Sequence, residues 1–387
     1  MVGRPENTTG LSGGQRLLQL AKLFGKLGVI GFGGPAVHIA LMEEEVVRKR
    51  GWMDHQHFLD LVGATNLIPG PNSTEMTMHI GHEQAGWKGL LVAGCCFIVP
   101  AVLITALFAW AYQLYGQLPQ VQPFIYGIKP AIIAVIVVTM VFLGKRALKS
   151  LQLGIIGAIA AVAVLAGLNE IYVLFGAGFT GILLYWLRNG NKVAAGFFPF
   201  ALLQLNTPSP DTSSLRLFFI FLKVGSILYG SGYVLFAFLD AELVAKGLLT
   251  KQELIDAIAV GQFTPGPVFS SATFIGWQIG GPGGALAATI GIFLPSFLFV
   301  ALLNPLIPKL RKSGVMAAFL DTVNIVSIAI ILSVLLEMSR ETLVDWRTIT
   351  IAAASFMVTF YFRKINTAFI VLGGAAAGYL LSFISLF

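Results

Sequence analysis

Two Pro-Gly-Pro motifs inside apolar sequence are the residues of this chain best suited to binding a ligand. The first is Pro69-Gly70-Pro71 and the second is Pro265-Gly266-Pro267. Proline lacks an N–H and is favoured at the first position of a helix, so each motif predicts a helix start. The first N–H groups of a helix have no partner within it, and together they bind phosphate- and sulfate-like anions. The motifs therefore predict anion binding.

An earlier glycine-rich break precedes each motif. In the first half it contains Gly33, Gly34 and Pro35, and its counterpart in the second half is Gly230-Ser231-Gly232. Pro35 predicts a helix that runs to Arg50 with Gly34 as its N-cap. The helix expected after Pro71 has about 13 residues and is about 20 Å long. It therefore starts deep in a membrane if its far end lies at the surface.

The candidate substrate-binding residues share one property: each lies at a break or on the approach to one. Side-chain oxygens beside unpaired N–H groups suit a compact, tetrahedral dianion. Two lysines before the first breaks either draw the anion in or extend to the lipid headgroups. The predicted residues are Gly33, Gly34, Pro35, Gly70, Pro71, Asn72, Ser73, Thr74, Gly230, Ser231, Gly232, Thr264, Gly266, Pro267, Ser270, Ser271, Lys26 and Lys223.

Glu75 is the candidate proton-coupling residue. It lies one turn into the helix after Pro71, and its second-half counterpart is Ser271. An ionisable residue in an apolar segment is a functional candidate by default. The alternative is a structural pair with His79, four residues later, or with a lysine.

The composition indicates which elements must position these residues. The chain has 387 residues, of which 56% are hydrophobic and 11% charged, against about 25% charged in soluble domains. We therefore expect an all-α polytopic membrane protein in a lipid bilayer. Apolar segments that approach or reach membrane-spanning length lie near 88–115, 124–143, 151–168, 171–187, 283–307, 315–336, 347–362 and 365–387.

The two halves are copies of each other, with an offset that drifts from 197 (26 to 223) to 195 (100 to 295). We expect a first transmembrane repeat at 12–187, a linker at 188–214 and a second repeat at 215–387, each repeat with about five to six helices. Basic loops alternate between the halves, which predicts an inverted repeat with broken or re-entrant helices meeting at mid-membrane. Whether 59–82 and 254–280 span or re-enter, and which side holds the N-terminus, stays open.

Several classes of protein are not supported. No secretory signal is expected at the N-terminus, and no basic run exceeds Arg48-Lys49-Arg50, so nucleic acid is not an expected partner. The adjacent Cys95 and Cys96 have no metal-ligand spacing, so neither a metal nor a cofactor is predicted. No catalytic motif or phosphate-binding loop supports an enzyme, and transport would have to be driven by a gradient.

These motifs resemble the chromate transporter (CHR) family in its long, two-domain form. The resemblance rests on the order of short motifs in both halves: Phe32-Gly33-Gly34-Pro35, Gly51-Trp52, Pro69-Gly70-Pro71, Ile80-Gly81 and Phe97-Ile98-Val99-Pro100, then Gly230-Ser231-Gly232, Phe263-Thr264-Pro265-Gly266-Pro267, Ile275-Gly276-Trp277 and Phe293-Leu294-Pro295. The resemblance implies chromate efflux across the bacterial inner membrane, driven by the proton motive force, with sulfate as a structural analogue. Ser231-Gly232 departs from the first-half Gly34-Pro35.

Two other functions stay open on the same scaffold. One is an uncoupled anion channel, which has no need of Glu75, and the other is a carrier of sulfate or another oxyanion. A homodimer is in keeping with small inverted-repeat carriers, although no residue argues for it.

Overall fold

The computed structural model describes residues 12–189, 214–229, 232, 234–303, 310, 313–362 and 365–386. Within these ranges the chain forms fourteen α-helices and no strand, which confirms the all-α class. The linker predicted at 188–214 falls largely outside the described residues, as do Gly230 and Ser231.

Each repeat contributes seven of these helices. The first repeat has α1 (Gly13–Ile30), α2 (Pro35–Met42), α3 (His55–Thr65), α4 (Asn72–Tyr115), α5 (Gln122–Ala147), α6 (Leu151–Leu165) and α7 (Glu170–Asn189). The second has α8 (Ser214–Ile227), α9 (Val234–Leu239), α10 (Lys251–Phe263), α11 (Ser271–Leu303), α12 (Gly314–Thr342), α13 (Trp346–Tyr361) and α14 (Thr367–Ser382).

Short segments of other helix types join the α-helices. The π-helical segments Glu43–Lys49 and Asp240–Val244 continue α2 and α9. The 3-10 turn Val268–Ser270 precedes α11, and Phe383–Leu386 follows α14.

Among the described residues, five helical segments are long and apolar enough to cross a membrane, which indicates a multi-pass membrane protein. They are Asn72–Tyr115, Gln122–Ala147, Glu170–Arg188, Val268–Leu303 and Gly314–Thr342. Leu151–Leu165 and Thr367–Ser382 are shorter apolar helices.

Helices α4 and α11 are each broken at equivalent places. The backbone leaves helical geometry at Ala85 and Gly86 in α4, and at Gly280 and Gly281 in α11. The first part of α4 therefore covers 72–84, which confirms the predicted half-helix of about 13 residues. A β-carbon on Gly81 would overlap Gly89, so the two parts of α4 fold back on each other.

The described residues divide between two compact units, and each repeat contributes to both. The first unit lies within Met1–Leu107, Ala201–Leu228 and Thr264–Lys312. In it, α1 packs on α4 where a β-carbon on Gly28 would lie 2.6 Å from the Phe97 carbonyl oxygen. Helix α8 packs on α11 in the same way, since a β-carbon on Gly225 would lie 2.5 Å from the Ile292 carbonyl oxygen. Small residues permit these close approaches.

The second unit lies within Phe108–Phe200, Tyr229–Phe263 and Ser313–Phe387. Its helix α12 packs against α5, α6 and α7, while α13 and α14 pack against α5. A buried ion pair joins α5 to α10, since Lys129 Nζ lies 2.9 Å from Asp256 Oδ1. The Tyr112 hydroxyl donates to Asp256 Oδ2 at 2.5 Å. Asp256 therefore links α10 to Lys129 of α5 and to the Tyr112 side chain.

Candidate functional site

The break after α1 has the backbone that its sequence predicts. Gly33 and Gly34 have φ values of 105° and 79°, in the left-handed region that favours glycine. Pro35 is the first residue of α2 and Gly34 is its N-cap, whose carbonyl accepts from the Val37 and His38 N–H groups at 3.1 Å. The predicted helix to Arg50 is present, although its second part is π-helical and Arg50 is the C-cap.

Lys26 is paired at the charged end of this segment. Its Nζ lies 3.2 Å from Glu45 Oε1, which Lys49 Nζ also contacts at 3.3 Å, and Arg50 Nε lies 3.7 Å from Oε2. The pKa of Glu45 is lowered: burial would raise it, but the hydrogen bonds and charges of Lys26 and Lys49 outweigh burial. The Lys26 side chain is 56% exposed. Lys223, its counterpart, lies partly buried on α8.

The first Pro-Gly-Pro motif lies at the tip of a helical hairpin. Helix α3 leads to the motif and the first part of α4 leads away from it. The His57 ring Nε2, near the start of α3, lies 2.6 Å from Glu83 Oε1, near the end of that part of α4. Residues 55–84 therefore form a hairpin, which is the backbone shape that the re-entrant alternative requires.

Glu75 lies buried beside the tip of this hairpin. Its side chain is 0% exposed, and its Oε1 accepts from the Ser296 hydroxyl at 3.3 Å. A β-carbon on Gly70, where φ is 136°, would overlap both Glu75 Oε1 and Ser296 Oγ. The other carboxylate oxygen, Oε2, is buried with no hydrogen-bond partner among the described residues.

The neighbours of Glu75 in the first turn of α4 are placed differently from one another. Ser73 and Thr74 are buried, and the Thr74 hydroxyl has no hydrogen-bond partner within the described residues. Asn72 is partly buried and its Nδ2 donates to Asn66 Oδ1 at 2.7 Å. The carbonyl of Pro71 accepts from the Thr74 and Glu75 N–H groups at 2.8 and 3.0 Å.

The second Pro-Gly-Pro motif carries hydroxyl groups and no carboxylate in the matching positions. Thr264 and Pro267 are buried, and Gly266 has a φ of 84°. The Thr105 hydroxyl of α4 donates to Ser270 Oγ at 3.1 Å. Ser271 is 0% exposed, and its hydroxyl has no hydrogen-bond partner in the part of the chain that the structure describes.

Reciprocal backbone hydrogen bonds join each motif to the end of the first helix, α8 or α1, of the opposite repeat. The Gly70 N–H donates to the Leu228 carbonyl at 2.9 Å, and the Gly266 N–H donates to the Gly31 carbonyl at 2.8 Å. Gly31 and Leu228 are counterparts in the repeat, as are Gly70 and Gly266. The two motif glycines therefore donate their N–H groups to carbonyls of each other's repeat. The donors left for a ligand are the hydroxyl groups and those first-turn amides that bond no carbonyl within the helix.

The structure thus brings most predicted residues into one unit. These are the residues of the break at Gly33 to Pro35 and of both Pro-Gly-Pro motifs with the turns that follow them. Gly232 lies in a turn before α9 and belongs to the other unit.

Two residues beside the breaks were missed by the sequence reasoning. Ser296 follows Pro295, where the first repeat has Ala101 after Pro100. Thr105 stands where the second repeat has Val300. A search for polar residues that stand opposite apolar ones in the repeat, close to the matched prolines, could have found both.

Comparison with known proteins identifies the repeats independently. The family model described as "Chromate transporter" matches residues 18–182 and again residues 215–379. The "Chromate transport protein" of Cupriavidus metallidurans is 30% identical over 94% of this chain and 92% of its own length. The "Probable chromate transport protein" of Synechococcus elongatus is 27% identical over 94% of this chain and 95% of its own length. The "Chromate transport protein" of Pseudomonas aeruginosa is 26% identical over 94% of this chain and 92% of its own length. No solved structure matches.

Proposed function

We propose a transport mechanism from the premise that this chain belongs to the chromate transporter family, whose model matches both of its repeats. The chain is a secondary carrier that moves chromate, or a similar tetrahedral oxyanion, outward across the bacterial inner membrane at the expense of the proton motive force. The observation that carries this proposal is the buried meeting of the broken helices, where Glu75 and unpaired hydroxyl groups lie together with helix N-termini.

The substrate is assigned from the donors and from the relatives. Helix N-termini and hydroxyl groups suit a small, fully oxygenated anion that accepts hydrogen bonds in several directions. Three relatives with 26 to 30% identity carry chromate transport in their names. Sulfate has the same tetrahedral shape and charge, so we expect it to compete with chromate.

The depth of the breaks supports a binding site rather than simple kinks. Broken backbone in a membrane survives only where it is buried in protein or lines a wet cavity. Here the reciprocal hydrogen bonds hold Gly70 and Gly266 against the ends of α8 and α1, the first helices of the opposite repeats. Paired breaks of this kind mark the substrate site in inverted-repeat transporters.

Glu75 is the proposed proton-coupling residue because its charge conflicts with the anion. At an effective dielectric constant of 20, two unit charges repel by about 4 kcal/mol when they are about 4 Å apart and by about 2 kcal/mol when they are about 8 Å apart. A dianion about doubles either value, so Glu75 and the anion repel each other even from neighbouring sites. Protonation of Glu75 removes the repulsion. The anion therefore binds most tightly at low pH, and its binding weakens as pH rises through the titration of Glu75.

The membrane potential supplies the outward drive. Moving one elementary charge through 100 mV is worth about 2.3 kcal/mol. A dianion that leaves an interior of negative potential releases about twice this. When one proton leaves with it the electrical gain is about 2.3 kcal/mol, from which the proton's movement against the pH gradient takes about 1.4 kcal/mol per pH unit.

The decisive experiment is uptake of radiolabelled chromate by inside-out vesicles or proteoliposomes that contain the full chain. The potential and the pH gradient are imposed separately with ionophores, and sulfate is added as competitor. We expect accumulation that follows the interior-positive potential, rises at low pH and falls with sulfate. Flux that equilibrates without accumulation under either gradient would identify an uncoupled channel, and no chromate flux at all would refute the substrate.

The proton role has its own variant and control. Glu75→Gln removes the charge at nearly the same volume, so chromate transport should lose its pH dependence. Glu83→Gln makes the same change further along α4, where the carboxylate pairs with His57 in a partly exposed position, and should keep the pH dependence. An unchanged pH profile in Glu75→Gln would mean that Glu75 has a structural role and does not couple transport to protons.

A further inference from the structure

We infer that the two Pro-Gly-Pro breaks are different binding sites, and that the oxyanion is held by Ser270 and Ser271 at the start of α11 while the break at α4 holds the proton. This inference rests on the proposed function and narrows it. It assigns an anion subsite of neutral hydroxyl donors, with Thr105 of α4 as the residue that positions Ser270.

Ser271 supplies the first observation. Its hydroxyl is fully buried and has no hydrogen-bond partner in the described chain. A buried polar group without a partner is rare in folded proteins and calls for a ligand, a water or a functional reason. Ser271 is the fourth residue after Pro267, as Glu75 is the fourth after Pro71. Because the Glu75 carboxylate lies against Gly70, we place the Ser271 hydroxyl on the side of α11 that faces Gly266.

The pair formed by Thr105 and Ser270 supplies the second. The Thr105 hydroxyl donates to Ser270 Oγ at 3.1 Å, and both side chains are fully buried. Because Ser270 accepts this bond, its own proton is left to donate to an oxyanion. Hydrogen bonds in such a chain polarise one another, so Thr105 strengthens Ser270 as a donor.

The matching positions of the repeat supply the third. At α4 the carboxylate of Glu75 faces Ser296, whereas at α11 the equivalent pair is Ser271 and Ala101. A β-carbon on Gly266 would lie 2.7 Å from the Ala101 methyl group, so an apolar side chain takes the place of Ser296 there. A dianion at α11 therefore meets hydroxyl groups and the N-terminus of a long helix, without an adjacent carboxylate.

The test is the concentration dependence of chromate uptake by proteoliposomes of the full chain. Ser271→Ala should raise the KM for chromate about tenfold, which is the loss of one hydrogen bond to a charged ligand. Thr105→Val removes the hydroxyl that positions Ser270 and should raise the KM by a smaller factor. Their pH profile should match that of the wild type, and Ser271→Thr should restore most of the affinity. The control is Thr273→Val, two residues after Ser271 on α11. It breaks a hydroxyl contact with Thr289 and should keep the KM.

The outcomes separate this inference from the proposed function. Normal KM values in Ser271→Ala and Thr105→Val, with intact coupled transport in the wild type, would overturn the hydroxyl subsite alone. A raised KM in Thr74→Val, the counterpart of Ser270, with none in Ser271→Ala would move the anion to α4 and also overturn it. Absence of chromate transport by the wild type would instead refute the proposed function. Thermal unfolding of each purified variant excludes misfolding as the cause of a raised KM.

Discussion

The two Pro-Gly-Pro breaks have nearly the same backbone and different side chains. Both glycines have positive φ, and both donate their N–H to a carbonyl at the end of the first helix of the opposite repeat. At α4 the fourth residue after the motif is Glu75, and at α11 it is Ser271. The two repeats therefore share the backbone that opens a buried helix, while different residues at single positions change the chemistry that each opening offers.

Changes to the backbone that the two breaks share should have the largest effect on transport. Gly70→Ala places a methyl group on Glu75 and Ser296 at a φ of 136°. Gly266→Ala places one 2.7 Å from the Ala101 methyl at a φ of 84°. Backbone strain of about 1–3 kcal/mol together with these overlaps should reduce chromate transport by about 100-fold.

Transport rate and thermal unfolding measured together check this prediction. Gly25→Ala on α1 is the control, because a β-carbon there meets no atom within 4 Å. Near-normal transport in Gly70→Ala would mean that the close contact of glycine, Glu75 and Ser296 is dispensable.

Exchanging the side chains of the two breaks tests their difference directly. Ser271→Glu combined with Ala101→Ser gives the α11 break the carboxylate and hydroxyl of the α4 break. Repulsion of about 4 kcal/mol per charge pair should lower chromate affinity by about 100-fold or more at neutral pH. Affinity should return as pH falls, because the introduced carboxylate becomes protonated.

The converse exchange provides the comparison for that experiment. Glu75→Ser with Ser296→Ala gives the α4 break the side chains of the α11 break, and it should remove the pH dependence while the KM at low pH stays near the wild-type value. Equal losses of affinity from both exchanges would show that the breaks bind the anion together.

Ser296→Ala should have a smaller effect that is confined to the pH profile. The Ser296 hydroxyl donates to the Glu75 carboxylate, and a hydrogen bond to a charged group contributes about 1.5–3 kcal/mol. Without it the charged form of the carboxylate loses a stabilising hydrogen bond, so the pH at which transport falls to half should move upward. Ser333→Ala, whose hydroxyl bonds only its own helix at Ala329, should leave the profile in place.

Lys26 should have the smallest effect. Its ammonium pairs with Glu45, which Lys49 and Arg50 also contact, and the Lys26 side chain is more than half exposed. Exposed pairs contribute about 0–1 kcal/mol, so Lys26→Met should change the KM for chromate less than about fivefold. A much larger rise would place Lys26 on the path of the anion, as its position before the first break predicts.

Much of the local structure followed from sequence alone. The N-cap at Gly34, the start of α4 after Pro71 and the end of its first part near Gln84 depend on proline and glycine, whose backbone preferences act within a few residues. The apolar composition predicted the membrane helices, and the matched halves predicted two repeats, since both properties are written along the chain. The π-helical ends of α2 and α9 were not predicted, because a single wide turn leaves no clear pattern in the residues.

The tertiary structure alone decided how the breaks meet. Gly70 bonds Leu228 and Gly266 bonds Gly31 across about 160 to 235 residues of sequence, and Ser296 reaches Glu75 from the other repeat. Such contacts depend on which helices pack together and at what height, which residue preferences acting over a few positions do not specify. The sequence by itself thus determined where the chain breaks and which groups stand there, and only the packed structure determined which of those groups face each other.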